Sequence, residues 1–262
     1  MSLTASSRSF CIPFLLNDPF LTPSLFCRFT NYVPLVGLNR TYDETIEDLP
    51  AGVDALVDWT SKYNTPVKNQ GYCGSCWAFS AGEQIESDYK REYGVTQVLS
   101  MQQLTSCTGG GTGCNGGWTE SAFTYAKRGL ETESDYPYTS GAAGVVPACS
   151  QSGMTKLITV SNYYTLTSES SMASHALSTG PISVAVDASS WSTYTGGVMS
   201  SCGSDIDHAV QITGVDTGSG GYWKVRNSWG TSWGEAGFIR LAYGQDTCAI
   251  TTIPTYVASK KA

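Results

Sequence analysis

Histidine is scarce in this chain: His175 and His208 are the only two among 262 residues. Charge is sparse as well. Only 14% of residues are charged, and 15 Lys and Arg are outnumbered by 22 Asp and Glu, giving a net charge of -7 and a pI near 4.8. A protein that neutralises phosphates needs a basic face, so this balance argues against nucleic acid as a partner. Acidity of this kind fits an acidic compartment or the outside of a cell. Long apolar runs are missing too. The stretch from Phe10 to Leu16 contains Pro13 and is followed by Asn17, Asp18 and Pro19, so it makes neither a membrane helix nor a good signal peptide. What the chain does have is 41% apolar residues, enough for a substantial core, and nine cysteines. That many cysteines point to an oxidising compartment with several disulfides, and the odd count leaves at least one over.

No internal repeat is visible. Gly, Ser and Thr clusters at Thr108 to Gly113, Ser140 to Gly144 and Thr217 to Gly221 read as turns and surface loops. Between Cys76 and Tyr93 apolar residues recur at Trp77, Phe79, Ala81, Ile85, Tyr89 and Tyr93, which predicts a helix. Ser100 and Gln103 have the spacing of a capping box for a short helix toward Cys107. Thr119 is expected to cap a helix through Arg128 that Gly129 ends, and Ser171 to Ser178 is a weaker helical stretch. The second half changes period. Ile182 to Val186, Ala209 to Val215, Tyr222 to Val225 and Phe238 to Leu241 read as strands. Helices followed by antiparallel strands predict an α+β protein of two lobes with a cleft between them.

The segment Gly71-Tyr72-Cys73-Gly74-Ser75-Cys76-Trp77 holds a C-x-x-C. Three readings compete. A redox dithiol would follow a parallel strand, and none precedes it here. A zinc site would want a second C-x-x-C or a nearby His pair, and neither exists. A nucleophile fits better. Cys76 would open the predicted helix, whose N-terminal partial positive charge favours a thiolate. A histidine from elsewhere in the chain must then assist it.

These residues carry a family resemblance. Gln70-Gly71-x-Cys73-Gly74-Ser75-Cys76-Trp77 resembles the active-site signature of the papain-like cysteine peptidases, the papain and cathepsin L group. Asp207-His208-Ala209-Val210 resembles the family's histidine segment and follows Cys76 by 132 residues (208 - 76). Asn227-Ser228-Trp229-Gly230, with Trp233-Gly234 and Gly237 to Arg240, resembles its asparagine segment. Gly113-Cys114-Asn115-Gly116-Gly117 and Tyr136-Pro137-Tyr138 are further marks. The likeness extends from about residue 49 to the C-terminus. It implies the papain-like fold, with a helical left lobe, a β-barrel-like right lobe and the active site in the cleft.

By that resemblance Cys76 is the nucleophile, His208 its general base and acid, and Asn227 the residue that orients the imidazole, with Trp229 shielding their hydrogen bond. Gln70 and the Cys76 backbone N–H would donate to the oxyanion. Asp207 is expected to tune pH dependence rather than to do chemistry, and His175 to be an ordinary histidine. The resemblance also pairs Cys73 with Cys114, Cys107 with Cys149, and Cys202 with Cys248. Cys11 and Cys27 remain, either paired with each other or as thiols.

Gly117, Trp118, Thr119, Ala185, Ile206 and Ile253 match the positions around the pocket for the side chain two residues before the cut, Gly117 through its backbone. The set is apolar, so Leu, Val or Ile is expected there. The chain lacks a His-His insertion of the occluding-loop kind, which favours an endopeptidase. The implied partners are peptide and protein substrates and cystatin-like protein inhibitors, with no metal, cofactor, nucleic acid or membrane, and a monomeric state. The implied location is a lysosome, a vacuole or the extracellular space. Residues 1–48 read as a partial or atypical propeptide, shorter than a typical member's, and 49–262 as the peptidase domain, with a helical lobe over about 60–165 and a β lobe over about 166–250. Asn39-Arg40-Thr41 is a glycosylation sequon. Met101 stands where the family usually has Glu.

Overall fold

The computed structural model describes residues 40–109, 113–150 and 155–262. Cys11, Cys27 and Asn39 lie outside them. The architecture is organised around helix α1, Cys76–Tyr93, which has no proline and ends at Gly94 in the left-handed conformation (φ 68°), with Lys90 and Arg91 in its last turn. Every residue from Cys76 to Tyr89 is buried. A helix buried all round is normally apolar all round, yet this one carries Ser80, Glu83, Gln84, Glu86, Ser87 and Asp88 inside the protein. Most of these find partners elsewhere in the chain. Ser80 Oγ donates to the Val210 carbonyl at 2.7 Å and Gln84 Nε2 to the Pro181 carbonyl at 2.9 Å. Glu86 accepts from Lys68 Nζ at 2.6 Å and from the Leu99 N–H at 2.8 Å, and Asp88 Oδ2 accepts from Ser259 N–H and Oγ. The sequence pattern revealed the helix; its burial on every side is a product of tertiary structure.

On one side of α1 lie α2 (Met101–Cys107), α3 (Thr119–Ala126) and the short α4 (Ser140–Ala143). Ser140 to Gly144, read from sequence as a loop, is thus one helical turn capped by Gly144 (φ 66°). Ser100 Oγ accepts from the Gln103 N–H, but the Gln103 side chain turns away to the Glu131 N–H, so only half a capping box forms. Helix α3 starts with Trp118 as its cap residue and Thr119 already helical, a correction to the expected Thr119 cap. Its regular part stops at Ala126. Arg128 and Gly129 continue it with i→i+3 bonds to Tyr125 and Ala126, the tightened last turn common at helix ends.

On the other side lies a sheet built from β1 (Leu56–Asp58), β2 (Ile158–Thr165), β3 (Ile182–Val186), β4 (Val198–Met199), β5 (His208–Asp216), β6 (Tyr222–Arg226), β7 (Phe238–Ala242) and β8 (Thr255–Lys261). Its order is β2-β8-β3-β5-β6-β7-β4, with β1 added to β5. All pairings are antiparallel except β4 with β7. Helix α5 (Glu169–Ser178) packs on this side. It starts two residues before the sequence suggests, because Ser168 and Ser171 form a reciprocal capping box in which serine takes the usual Glu or Gln part. Strands β2 and β8 were not apparent in the sequence. A bulge between Val160 and Asn162 breaks the alternation of β2.

There are two cores. One gathers Trp77, Phe79, Ile85, Leu104, Phe123 and Leu130 from the helical side, together with Ile158, Val160 and Val257. The other gathers Ile182, Val184, Trp191, Ile212, Trp223 and Ile239, with Ile46, Leu49 and Val57 packed against it. Chain order and lobe therefore part company at both ends: β1 joins the sheet side, and β8 returns Val257 to the helical core.

Residues 40–48 are docked on this framework. Tyr42 bridges to Thr165, Asp43 accepts from the Tyr256 hydroxyl, and Ser168 Oγ donates to Asp48 at 2.5 Å. Arg40 reaches Glu120 at 2.7 Å, and the Glu120 side chain has no exposure. Arg40→Ala would leave that carboxylate buried and uncompensated. It should lower the unfolding free energy by about 1–3 kcal/mol in urea titration; an unchanged midpoint would show the contact to be incidental.

His175 on α5 lies beside Gln84, Asp88 and Arg91 in the later part of α1, 2% exposed, with its ring 4.2 Å from that of Tyr256. Its Nδ1 has no hydrogen-bond partner. Burial pushes its pKa down to about 3, helped by Arg91 and opposed by Asp43. Below about pH 6.5 the unfolded chain binds a proton that the folded one refuses. Folding stability should therefore fall as pH falls from about 6.5 toward 3. In His175→Phe that slope should be shallower by up to about 1.4 kcal/mol per pH unit, measured by denaturation at pH 6.5, 5.5 and 4.5; an identical slope would refute the assignment.

Candidate active site

The turn before α1 is held by backbone bonds that few side chains would permit. Gly71 has φ 59°, and a Cβ there would sit 2.4 Å from the Gly141 carbonyl oxygen, so only glycine fits. The Tyr72 N–H donates to that same oxygen at 2.8 Å, and the Gly74 N–H to the Cys114 carbonyl at 2.9 Å. The disulfide Cys73–Cys114 fastens the turn to the loop that carries Gly117. Two further disulfides join Cys107 to Cys149 and Cys202 to Cys248. Cys76 stands outside all three, 3% exposed, as the first residue of α1. A dithiol mechanism needs Cys73 and Cys76 as a pair; Cys73 is committed to Cys114.

Gln70 is buried and fixed on both sides of its amide. Its Nε2 donates to the Cys73 carbonyl at 2.9 Å, and its Oε1 accepts from Ser228 Oγ at 2.7 Å. A carbonyl can only accept, so the nitrogen must face Cys73, and one N–H of the amide remains beyond that bond. The Tyr138 hydroxyl donates to the Gln70 carbonyl at 2.9 Å and lies 2.7 Å from Ser75 Oγ. It thereby ties the residues on both sides of the turn. Burial pushes the Tyr138 pKa up to about 12, opposed by the bond with Ser75 and helped by the nearby Cys76 and Glu133. Neither Tyr138 nor Ser228 stands out in the sequence as a supporting residue, because each acts on Gln70 across many intervening positions.

His208 opens β5, and α1 lies along that strand. Ser80, four residues after Cys76, bonds Val210, two residues after His208. Further along, Gln84 and Ser87 both meet Gln211. The helix and the strand therefore run in the same sense, and their N-terminal ends lie at the same edge. One helical turn of four residues rises ~6 Å and two strand residues ~6.6 Å, so Cys76 and His208 stand about equally far before their common tie. His208 Nε2 lies 2.8 Å from Asn227 Oδ1. That oxygen also accepts the Ser228 N–H at 2.8 Å, which fixes the amide orientation. Nε2 must then carry the proton of the neutral ring, leaving Nδ1 as the basic nitrogen.

The imidazole is walled by indoles. Trp229 stacks on it at 4.8 Å and Trp191 meets it edge-on at 6.0 Å, with Trp233 against both tryptophans. Burial pushes the His208 pKa down to about 4, while the bond to Asn227 raises it. The ring by itself would thus be neutral at pH 5 to 6 and becomes cationic there only beside an anion. Asp207 accepts the Ala188 N–H at 2.7 Å, which ties the residue before β5 to the chain just after β3.

The six expected pocket residues come from both sides of the cleft. Gly117 is half-buried, and a Cβ on it would fall 2.6 Å from the Trp77 ring, next to Cys76. Trp118 and the buried Thr119 follow at the start of α3. From the sheet, Ala185 pairs with Ala209 beside His208, and Ile206 precedes His208 by two residues. Thr255, which pairs with Ser183 two residues before Ala185, follows the buried Ile253 by two residues. Among the described residues no group of His, Cys, Asp or Glu is placed to hold a metal ion, and no helix is long and apolar enough to cross a membrane.

Comparison with known proteins agrees with this geometry. The model of the papain family cysteine protease matches residues 53–258. Cathepsin L 2 of Paramecium tetraurelia is 45% identical over 208 residues, 77% of this chain and 64% of its own length. Cysteine proteinase B of Leishmania mexicana is 41% identical over 222 residues, 81% of this chain and 50% of its own. The chain thus spans about half to two thirds of the curated relatives it matches. Among solved structures, the bromelain protease from Ananas comosus in complex with the E64 inhibitor superposes with a TM-score of 0.73 at 37% identity, covering 79% of this chain and 99% of that one. Digestive procathepsin L 3 of the Tenebrio molitor larval midgut gives 0.72 at 34%, covering 84% and 76%. With its sequence matched from Val53 to Ala258 and its fold shared with such structures, this chain belongs to the papain family of cysteine proteases.

Proposed function

We propose that the protein is a cysteine endopeptidase that cleaves peptide bonds through a thioacyl intermediate on Cys76. The observation that carries this reading is the 2.8 Å contact of His208 Nε2 with Asn227, under Trp229, at the strand end aligned with the start of α1. His208 Nδ1 takes the Cys76 proton. The imidazolium that burial disfavours is stabilised by the thiolate it creates, so the two charges form together. The thiolate attacks the peptide carbonyl carbon and forms a C–S bond. The oxyanion is met by the Cys76 N–H at the helix start and by the remaining N–H of Gln70. The imidazolium protonates the departing amine, and water then hydrolyses the thioester. Asn227 keeps the ring in plane, and Trp229 keeps water from their bond.

The substrate lies extended along Gly117, bonded through the backbone as an added strand would be. Its side chain two residues before the cut enters the apolar pocket of Trp118, Thr119, Ala185, Ile206 and Ile253. Leu, Val and Ile are preferred, by margins of only ~1–3 kcal/mol per methylene. Residues 1–48 are a partial or atypical propeptide of the 49–262 domain. Peptides and proteins are the substrates, cystatin-like proteins the inhibitors, and a monomer in a lysosome, vacuole or extracellular fluid the working form.

The deciding experiment is labelling at about pH 5.5 with a Leu-containing peptidyl epoxide, followed by mass spectrometry, beside His208→Ala. One adduct on Cys76, lost in the variant, is expected. No adduct in the intact chain or after limited proteolysis of the N-terminal segment would leave a catalytically silent binding protein. Gln70→Ala should lower kcat about 10²–10³-fold with little change in KM; a change confined to KM would remove Gln70 from the oxyanion site.

A further inference from the structure

Beneath the residues just assigned, a single guanidinium touches three other segments. Arg226 has no exposed surface. Its Nη1 donates to the Thr65 carbonyl at 2.7 Å and lies 3.2 Å from Thr65 Oγ1. Its Nη2 donates to Gln211 Oε1 at 2.6 Å, and its Nε lies 3.3 Å from Glu83 Oε2. Thr65 precedes Gln70 by five residues, Glu83 follows Cys76 by seven, Gln211 follows His208 by three, and Arg226 itself is next to Asn227. The four segments meeting here each carry one of the four residues of the proposed reaction. Gln211 extends the link, its Nε2 donating to the Glu83 carbonyl at 3.2 Å and to Ser87 Oγ at 3.1 Å on α1. Beside it, Glu86 binds Lys68 and Thr65, so two cations and two carboxylates gather here, with only Lys68 partly exposed.

We propose that Arg226 is a positioning residue: through Thr65, Gln211 and Glu83 it sets the placement of the His208–Asn227 pair relative to Cys76 and Gln70 across the two lobes. The inference rests on the peptidase reading for its kinetic consequence, though not for its geometry. A guanidinium suits the task because its donors diverge in one plane at fixed angles; an ammonium supplies the charge without the fork. Tertiary placement matters here because a reacting geometry displaced by about 1 Å can cost about 10²-fold in rate.

The test is Arg226→Lys, which keeps Glu83 paired with a cation. A second variant, Glu83→Gln with Arg226→Met, keeps the cluster neutral should the first fail to fold. Three quantities are measured on the full chain: thermal midpoint, kcat and KM separately, and the pH dependence of Cys76 alkylation by iodoacetamide. A folded variant should lose kcat by about 10–10²-fold with KM nearly unchanged. Its alkylation profile should move toward that of an isolated thiol near pH 8.5. The His208 Nε2 proton, followed by ¹H–¹⁵N NMR, should exchange faster than in the parent, and this readout needs no turnover. A folded variant with parental kcat, alkylation profile and proton exchange overturns the proposal. A parent that is not alkylated in a His208-dependent way overturns the peptidase reading instead, and the proton exchange then decides the role of Arg226.

Discussion

The structure depends on burying α1, a helix with many polar side chains, between two cores. Water cannot satisfy Ser80, Glu83, Gln84, Glu86, Ser87 or Asp88 there, so the rest of the chain must. Most of the partners they recruit come from distant segments: Val210 and Gln211 from β5, Pro181 before β3, Lys68 from the loop before Cys76, Ser259 from β8. These bonds are directional where apolar packing is not. They fix how far along the helix each strand lies, and thereby where His208 comes to rest relative to Cys76.

The same constraint explains the electrostatics of the cleft. Closing Trp191 and Trp229 around His208 removes the water that would support an imidazolium, and Asn227 returns only part of that support. A buried ring that resists its own charge is a good partner for a thiol, since the proton moves only when both charges can appear side by side. The turn that presents Cys76 is correspondingly stiff, closed by a disulfide, by a glycine no other residue could replace, and by the Tyr138 hydroxyl bridging its two ends.

Much of this was legible in the residues themselves. The span of α1, the four strand segments of the second half and the family motifs are local signals, carried by period, glycine placement and short runs of fixed composition. Strands β2 and β8 were not, because a bulge disrupts one and each gains its burial only by pairing with the other. Thr119 looked like a cap since threonine often is one; here Trp118 takes the place because Thr119 is drawn into the buried start of α3. Tyr138, Ser228 and Arg226 were invisible as supports for a different reason. Their chemistry is ordinary, and their meaning lies in partners 68, 158 and 15 or more residues away.

The crossing of the two chain ends has a consequence for how the molecule comes into being. Each of these three disulfides closes a loop of 41 to 46 residues within one side of the molecule, so among the described residues no covalent bridge ties the helical side to the sheet. That task falls to β1, which pairs Val57 with Val215, and to β8, which pairs Tyr163 with Val257 and covers α1. Contacts so distant in sequence form late and slowly. During synthesis the helix that bears Cys76 is completed long before the last strand that buries it emerges, and until then its carboxylates and serines remain hydrated. The arrangement of Cys76 beside His208 is therefore among the last features of the chain to form.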